Sequence, residues 1–155
     1  MARRLFVLLI LLLPLVGFTS APEPEALGRQ LGLMDPKAFA ATVLHVCRYG
    51  RLPDHYLTRS EARALGWRPG EDLCKIAPGR VLGGDRFFNR ERLLPEQAGR
   101  EWFAADLDFA CGTRGPRRLV FSNDRLIFVT LDHYRSFVPV PCPNPAGSPA
   151  SNPPK

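Results

Sequence analysis

The spacing of apolar residues changes repeatedly along the chain, and each change marks a different kind of element. Between Leu5 and Phe18 they form an almost continuous run of 14 residues. That is short of the ~20 residues a membrane-spanning helix needs. With Arg3 and Arg4 before it and the small residues Thr19, Ser20 and Ala21 after it, the segment 1–21 has the make-up of a cleaved export signal, a make-up that an uncleaved amphipathic anchor would share. Pro22 would hinder a peptidase directly after Ala21, so the expected cut lies a few residues downstream. Residues 22–34 are rich in Pro and Glu, then weakly apolar, and predict a loosely held lead-in.

The folded domain is expected over 35–140. Asp35 followed by Pro36 is a helix start, a side-chain cap with proline at the first helical position. Phe39, Val43, Val46 and Cys47 then recur at helical spacing up to Gly50. Thr58 and Glu61 form a capping box that opens a shorter helix through Ala62, Ala64 and Leu65 to Gly66. Beyond Trp67, turn residues at Arg68-Pro69-Gly70 and Pro78-Gly79 separate short segments with the period of strands. From Trp102 to Phe109, alternation places Phe103, Ala105, Leu107 and Phe109 on a core face. Trp102, Ala104, Asp106 and Asp108 fall on a face free to meet a ligand. Leu119–Phe121 and Leu126–Val129 flank the polar turn Ser122-Asn123-Asp124-Arg125 and predict a hairpin. Helices first and antiparallel strands after give an α+β fold class. Residues 141–155 contain six prolines and predict an extended or disordered tail.

Composition narrows this further. Without residues 1–21, 134 of the 155 remain, enough for one domain with a real core. All four cysteines, Cys47, Cys74, Cys111 and Cys142, lie in that part, and an even count in an exported chain points to two disulfides. The spacing leaves three pairings open and contains no C-x-x-C pair, so structural zinc is disfavoured. The whole chain carries a net charge of +6; without Arg3 and Arg4, 19 basic residues face 15 acidic ones, or +4. That is a modest bias toward polyanions, informative only where arginines converge. No phosphate-binding glycine loop, metal-binding helix motif or nucleophile elbow is present, which argues against nucleotide hydrolysis, metalloprotease and esterase chemistry.

Of the histidines at 45, 55 and 133, only His133 sits in a setting suited to chemistry, in Asp132-His133-Tyr134 just after a strand. Arg114, Arg117 and Arg118 add guanidiniums that could grip a phosphodiester in bidentate fashion. Alone, the histidine fits a structural role and the arginines a solvated turn.

The blocks around these residues resemble the barnase and binase family of guanine-preferring ribonucleases. They are Leu52 to Trp67 (LPDHYLTRSEARALGW), Ala77-Pro78-Gly79, Gly83 to Glu91 (GGDRFFNRE), Gly99 to Trp102 (GREW) and Asp132-His133-Tyr134. Single blocks are weak; their shared order is specific. The resemblance implies a loop, Phe87 to Glu91, whose backbone and glutamate read the edge of guanine. Glu91 accepts from the guanine N1 and N2 hydrogens, a pattern adenine does not offer. Asn89 and Arg90 shape the loop, Arg90 also serving phosphate, and Phe88 replaces a small hydroxyl residue. It further implies attack of the ribose 2′-OH on the adjacent phosphorus of single-stranded RNA, giving a 2′,3′-cyclic phosphate, with no metal or cofactor. In that scheme His133 protonates the leaving 5′-oxygen, Arg114 and Arg118 stabilise charge on the phosphoryl oxygens, Arg59 stands for an active-site lysine, and Tyr134 lines the site.

One position departs from the family. The ungapped run from Gly99 to Gly112 places Ala104 where the general-base glutamate belongs. Asp106, on the same strand face, is the first substitute, although the resemblance makes it a partner of the arginines, and a carboxylate held by guanidiniums is a weaker base than a free one. Asp108 is a more remote candidate. The sequence therefore supports an exported endoribonuclease, slow or with a displaced base. The competing reading is a ribonuclease fold that binds RNA or a protein after its chemistry has decayed. Retention of His133, Arg114, Arg118 and the loop favours the enzyme. A purely structural exported domain leaves those residues unexplained. The family fold also implies pairing of Cys74 with Cys111 and of Cys47 with Cys142, a barstar-like acidic inhibitor in the producing cell, a monomer, and no stable membrane association after signal removal.

Overall fold

A computed structural model describes residues 22–109 and 111–143. The predicted signal 1–21 and most of the proline-rich tail lie outside them. The elements are α1 (Pro24–Gln30), α2 (Pro36–Tyr49), β1 (Tyr56–Leu57), α3 (Arg59–Ala64), α4 (Leu73–Ile76), β2 (Val81–Phe87), β3 (Trp102–Asp106), β4 (Arg118–Ser122), β5 (Ile127–Thr130) and β6 (Val138–Pro139). The strands form a single sheet in sequence order, β1 parallel to β2 and every other pair antiparallel. This is the expected α+β architecture.

The local signals operate as the residues dictate. The Asp35 side chain accepts from the Ala38 N–H, and α2 ends at Gly50 in left-handed backbone. Thr58 and Glu61 cap α3 reciprocally. Phe39, Val43 and Val46 of α2 pack on Ala105, Leu119, Phe121 and Val129 of the sheet, forming the principal core. Val43, Val46, Leu119 and Val129 are wholly inaccessible, and each such side chain contributes roughly 1.5–3 kcal/mol by its burial.

Three expectations change. Residues 22–34 are not a loose lead-in: Pro24–Gln30 is helical, and Leu27 and Leu33 enter the principal core. Gly28 lets this helix close on α2, since a Cβ there would stand 2.9 Å from Phe39 Cδ1. The ligand face of β3 is also less open than alternation suggests. Trp102 is buried with Leu94 and Val120, and Phe87, Phe128, Tyr134 and Phe137 pack against them as a second apolar cluster. Finally, the strand stops at Asp106, and Asp108 takes left-handed backbone (φ 54°), so alternation no longer governs where its side chain goes.

The disulfides join Cys47 to Cys142 and Cys74 to Cys111, the pairing implied by the family fold. The first ties the chain after β6 to α2; the second ties α4 to the segment preceding Arg114.

Candidate active site

The middle of the sheet sets the site. In the β2–β3–β4 register, Asp85 lies opposite Ala104 and Ala104 opposite Val120, while Asp106 lies opposite Arg118. Opposed residues of antiparallel strands share a face, so Asp85 and Ala104 look the same way. A bulge between Gly83 and Asp85 makes this so: Gly83 pairs with Ala105 and Asp85 with Ala104, leaving Gly84, at φ 95°, as the extra residue. Without it Asp85 would face the other side.

A cavity of about 260 Å³ opens over this face. Five arginines border it, Arg59, Arg86, Arg90, Arg114 and Arg118, against the carboxylates Asp85 and Asp106. Three more cations than anions make it a site for a polyanion. Ala104, Phe87, Phe88 and Tyr134 supply apolar surface, and Phe87 stacks on Tyr134 with centroids 4.8 Å apart.

Asp106 is buried and fully engaged. Its oxygens accept from Arg114 Nε and Nη2, each at 2.6 Å, and Arg118 Nε stands 3.0 Å away. The hydrogen bond to Asp106 holds Arg114 above the ordinary guanidinium value, against the pull of burial. Arg118 Nη1 donates to the carbonyls of Gly115 and Arg117, at 2.6 and 2.7 Å, which fixes the loop that carries Arg114. The arrangement aims two guanidiniums at the cavity and makes Asp106 their anchor.

Among the other predicted residues, Arg59, Phe87, Arg90 and Tyr134 border the cavity with Ala104. Asn89 does not. Its amide donates to the Leu94 carbonyl at 2.8 Å and accepts from the Leu94 N–H at 3.1 Å, closing the loop that contains Arg90 and Glu91. Glu91 is exposed and outside the cavity lining. His133 is also exposed and outside it, although the next residue, Tyr134, is part of it; the His133 N–H donates to the Pro116 carbonyl at 3.3 Å, docking its turn on the arginine loop.

Two predicted participants belong elsewhere. Arg117 pairs with Asp108 and donates to the Gly32 carbonyl. Asp108 also accepts from the Met34 N–H at 3.0 Å and borders a different cavity, with Phe39 and Thr42 of α2. Neither borders the cationic cavity.

Sequence reasoning passed over Asp85 and Asp132. Asp85 accepts from the Arg59 N–H with both oxygens, at 3.2 and 3.1 Å, capping the first turn of α3. Its place in the motif GGDRFFNRE was visible, but its facing depends on the bulge. Asp132 organises the turn that carries His133. It accepts from Thr130 Oγ1, the Arg135 N–H, the Ser136 N–H and Ser136 Oγ. The spacing D-x-x-x-S was the available signal. Asp72, Cys74 and Cys111 bring potential metal ligands within 4.8 Å of one another, but both sulfurs are committed to a disulfide.

A family model for ribonuclease matches residues 40–141. A ribonuclease of Heyndrickxia coagulans is 49% identical over 94 residues, which cover 60% of this chain and 86% of that protein. Ribonucleases of Bacillus intermedius and Bacillus pumilus are also 49% identical over 94 residues, covering 60% of this chain and 58% of each relative. The matched span runs from α2 to the end of the sheet and includes every residue bordering the cationic cavity: the chain belongs to the ribonuclease family, of the barnase and binase type.

Proposed function

We propose that this ribonuclease is an exported endonuclease that cleaves single-stranded RNA after guanosine, without metal or cofactor, and more slowly than a family member with a glutamate at position 104. The observation that carries the reading is the convergence of Arg59, Arg114 and Arg118 on one cavity beside Ala104. Guanidiniums fixed in advance can neutralise charge that builds on phosphoryl oxygens as the ribose 2′-OH attacks, and they need no reorganisation at that moment. His133, on the turn docked against the arginine loop, donates a proton to the leaving 5′-oxygen. Glu91, in the loop closed by Asn89, accepts from guanine N1 and N2 hydrogens. A general base contributes on the order of 10² to 10⁴ in rate, so its displacement from position 104 slows the reaction, whereas positioning and arginine stabilisation are retained.

Digestion of a defined RNA with a single guanosine tests this. The expected product ends in a 2′,3′-cyclic phosphate on that guanosine, formed equally well in the presence of a chelator. Cleavage spread over all four bases would remove the guanine assignment. Ala104 favours one other reading, a decayed fold that binds RNA or a protein; binding of the same RNA with no cut after prolonged incubation would establish that instead.

The cationic cavity also suits an acidic protein inhibitor, whose association would be steered by charge and weakened by salt. Two disulfides favour an oxidising location, and among the described residues no helix is long and apolar enough to cross a membrane. A monomer is expected. No binding at low salt to a barstar-like inhibitor would remove that partner.

A further inference from the structure

We infer that Asp85 is the general base of this ribonuclease, taking the proton that a glutamate at position 104 would otherwise accept. The inference rests on the endonuclease reading above. Among the described residues, the carboxylates that border the cavity are Asp85 and Asp106. Asp106 is 3% exposed, and both its oxygens are held by guanidiniums at 2.6 to 3.0 Å. Protonating it would break the anchor that positions Arg114 and Arg118. Asp85 is differently placed. Its side chain is 29% exposed, and the Arg59 guanidinium approaches no closer than 4.0 Å. The Arg59 N–H, shared between its two oxygens, occupies part of a carboxylate with about four lone-pair sites. Acceptor capacity therefore remains toward the cavity.

Position and chemistry agree. The Gly84 bulge puts Asp85 directly across from Ala104, on the same face. The methyl group of Ala104 projects little into the space between them. A glutamate there would reach further than Asp85 does, so Asp85 acts directly on a substrate seated deep in the cavity or through one intervening water, both within the reach of general-base catalysis. In the transfer step the 2′-oxygen forms a bond to phosphorus and releases its proton to Asp85. The bond from phosphorus to the 5′-oxygen breaks, and that oxygen takes a proton from His133. One proton is accepted and one donated, and no co-reactant is required. Hydrolysis of the cyclic phosphate reverses the roles and restores both residues.

The test compares kcat, KM and the pH profile on a guanosine-containing RNA for the native protein, Asp85→Asn, Ala104→Glu and the double variant. Asparagine keeps an acceptor for the Arg59 N–H and removes the base. Asp85→Asn is expected to lower kcat at least tenfold with little change in KM, and to abolish the acidic limb of the profile. Adding Ala104→Glu to Asp85→Asn should restore cleavage and the limb together, because the added carboxylate supplies a base without repairing the α3 cap. A merely structural Asp85 would leave the acidic limb in place in Asp85→Asn, and that result overturns the inference. So does an Asp85→Asn protein that cleaves within about twofold of native, which leaves the endonuclease reading intact. A native protein that makes no cyclic phosphate removes both. If Asp85→Asn does not fold, the native pH profile decides: an acidic limb supports a carboxylate base, and a flat acidic side excludes one.

Discussion

His133 and Tyr134 occupy consecutive left-handed backbone positions, with φ of 56° and 68°. Neither is glycine, so the turn carries a conformational cost of order 1–3 kcal/mol per residue that its surroundings must offset. Asp132 does this through four accepted hydrogen bonds. Those bonds, led by the Ser136 hydroxyl and followed by the Ser136 backbone, Thr130 and Arg135, lower the Asp132 carboxyl from an ordinary 3.8 to about 2. A carboxyl depressed in the folded state lends its stabilisation fully above its unfolded value and loses it as pH falls through the folded one. The His133 turn should thus keep its structure through pH 4 and loosen toward pH 2 as the Asp132 carboxylate is protonated. Tyr134 and His133 proton resonances followed through an acid titration would report this, and a turn already loose at pH 4 would contradict it. Asp132→Ala is expected to reduce cleavage at least tenfold at neutral pH by releasing the turn. His133→Ala should abolish cleavage and leave the fold intact, since the imidazole is exposed and packs on little; full activity in that variant would exclude the proposed acid.

At the level of elements, what was legible in the sequence had local causes. The Asp35 cap, the Gly50 terminator and the Thr58–Glu61 box define α2 and α3 by contacts within a few residues, and alternation exposed β3 and the β4–β5 hairpin. The first helix was not legible. Glu23 at its N-cap makes no side-chain hydrogen bond, and the helix exists because Leu27 and Gly28 meet α2, a tertiary cause. The site was legible in its cations and in Asp106, but not in Asp85. Counting by twos gave Asp108 the same face as Ala104, but the strand had already ended; the same counting cannot carry through a bulge, which hid Asp85. That bulge makes a prediction of its own. At Gly84 (φ 95°) a Cβ would lie 3.4 Å from Thr58 Cγ2, so space permits a side chain and backbone conformation opposes it. Gly84→Val should cost about 1–2 kcal/mol, the left-handed penalty, read as a shift in the urea midpoint. It should also lower cleavage more than stability alone explains, because shifting the bulge turns Asp85 off the site face. Cleavage unchanged per folded molecule would show that the bulge does not aim the site.

For the molecule as a whole, the two disulfides do different work. Cys47–Cys142 spans 95 residues and Cys74–Cys111 spans 37. Loop-closure entropy scales as (3/2)RT times the logarithm of length, which favours the longer bridge by only about 0.8 kcal/mol in a total of roughly 2–4 kcal/mol each. Stability alone would hardly distinguish them, but position does. The long bridge fastens the C-terminal end of the sheet to α2, on the principal-core side and away from the cavity. The short one fastens the segment that leads through Arg114 to Arg118, three residues before the first of those guanidiniums. Replacing Cys47 and Cys142 together by serine should lower the melting temperature while leaving kcat per folded molecule within about twofold of native. Replacing Cys74 and Cys111 should lower the melting temperature by a similar amount and also cut kcat severalfold, because the Arg114 segment then loses its covalent tie and keeps only the Asp106 ion pair and the Arg118 hydrogen bonds. Thermal melts paired with cleavage assays well below both midpoints separate the two effects. Equal kcat in the two double variants would mean that the Asp106 anchor suffices to hold the arginine loop without its covalent tie.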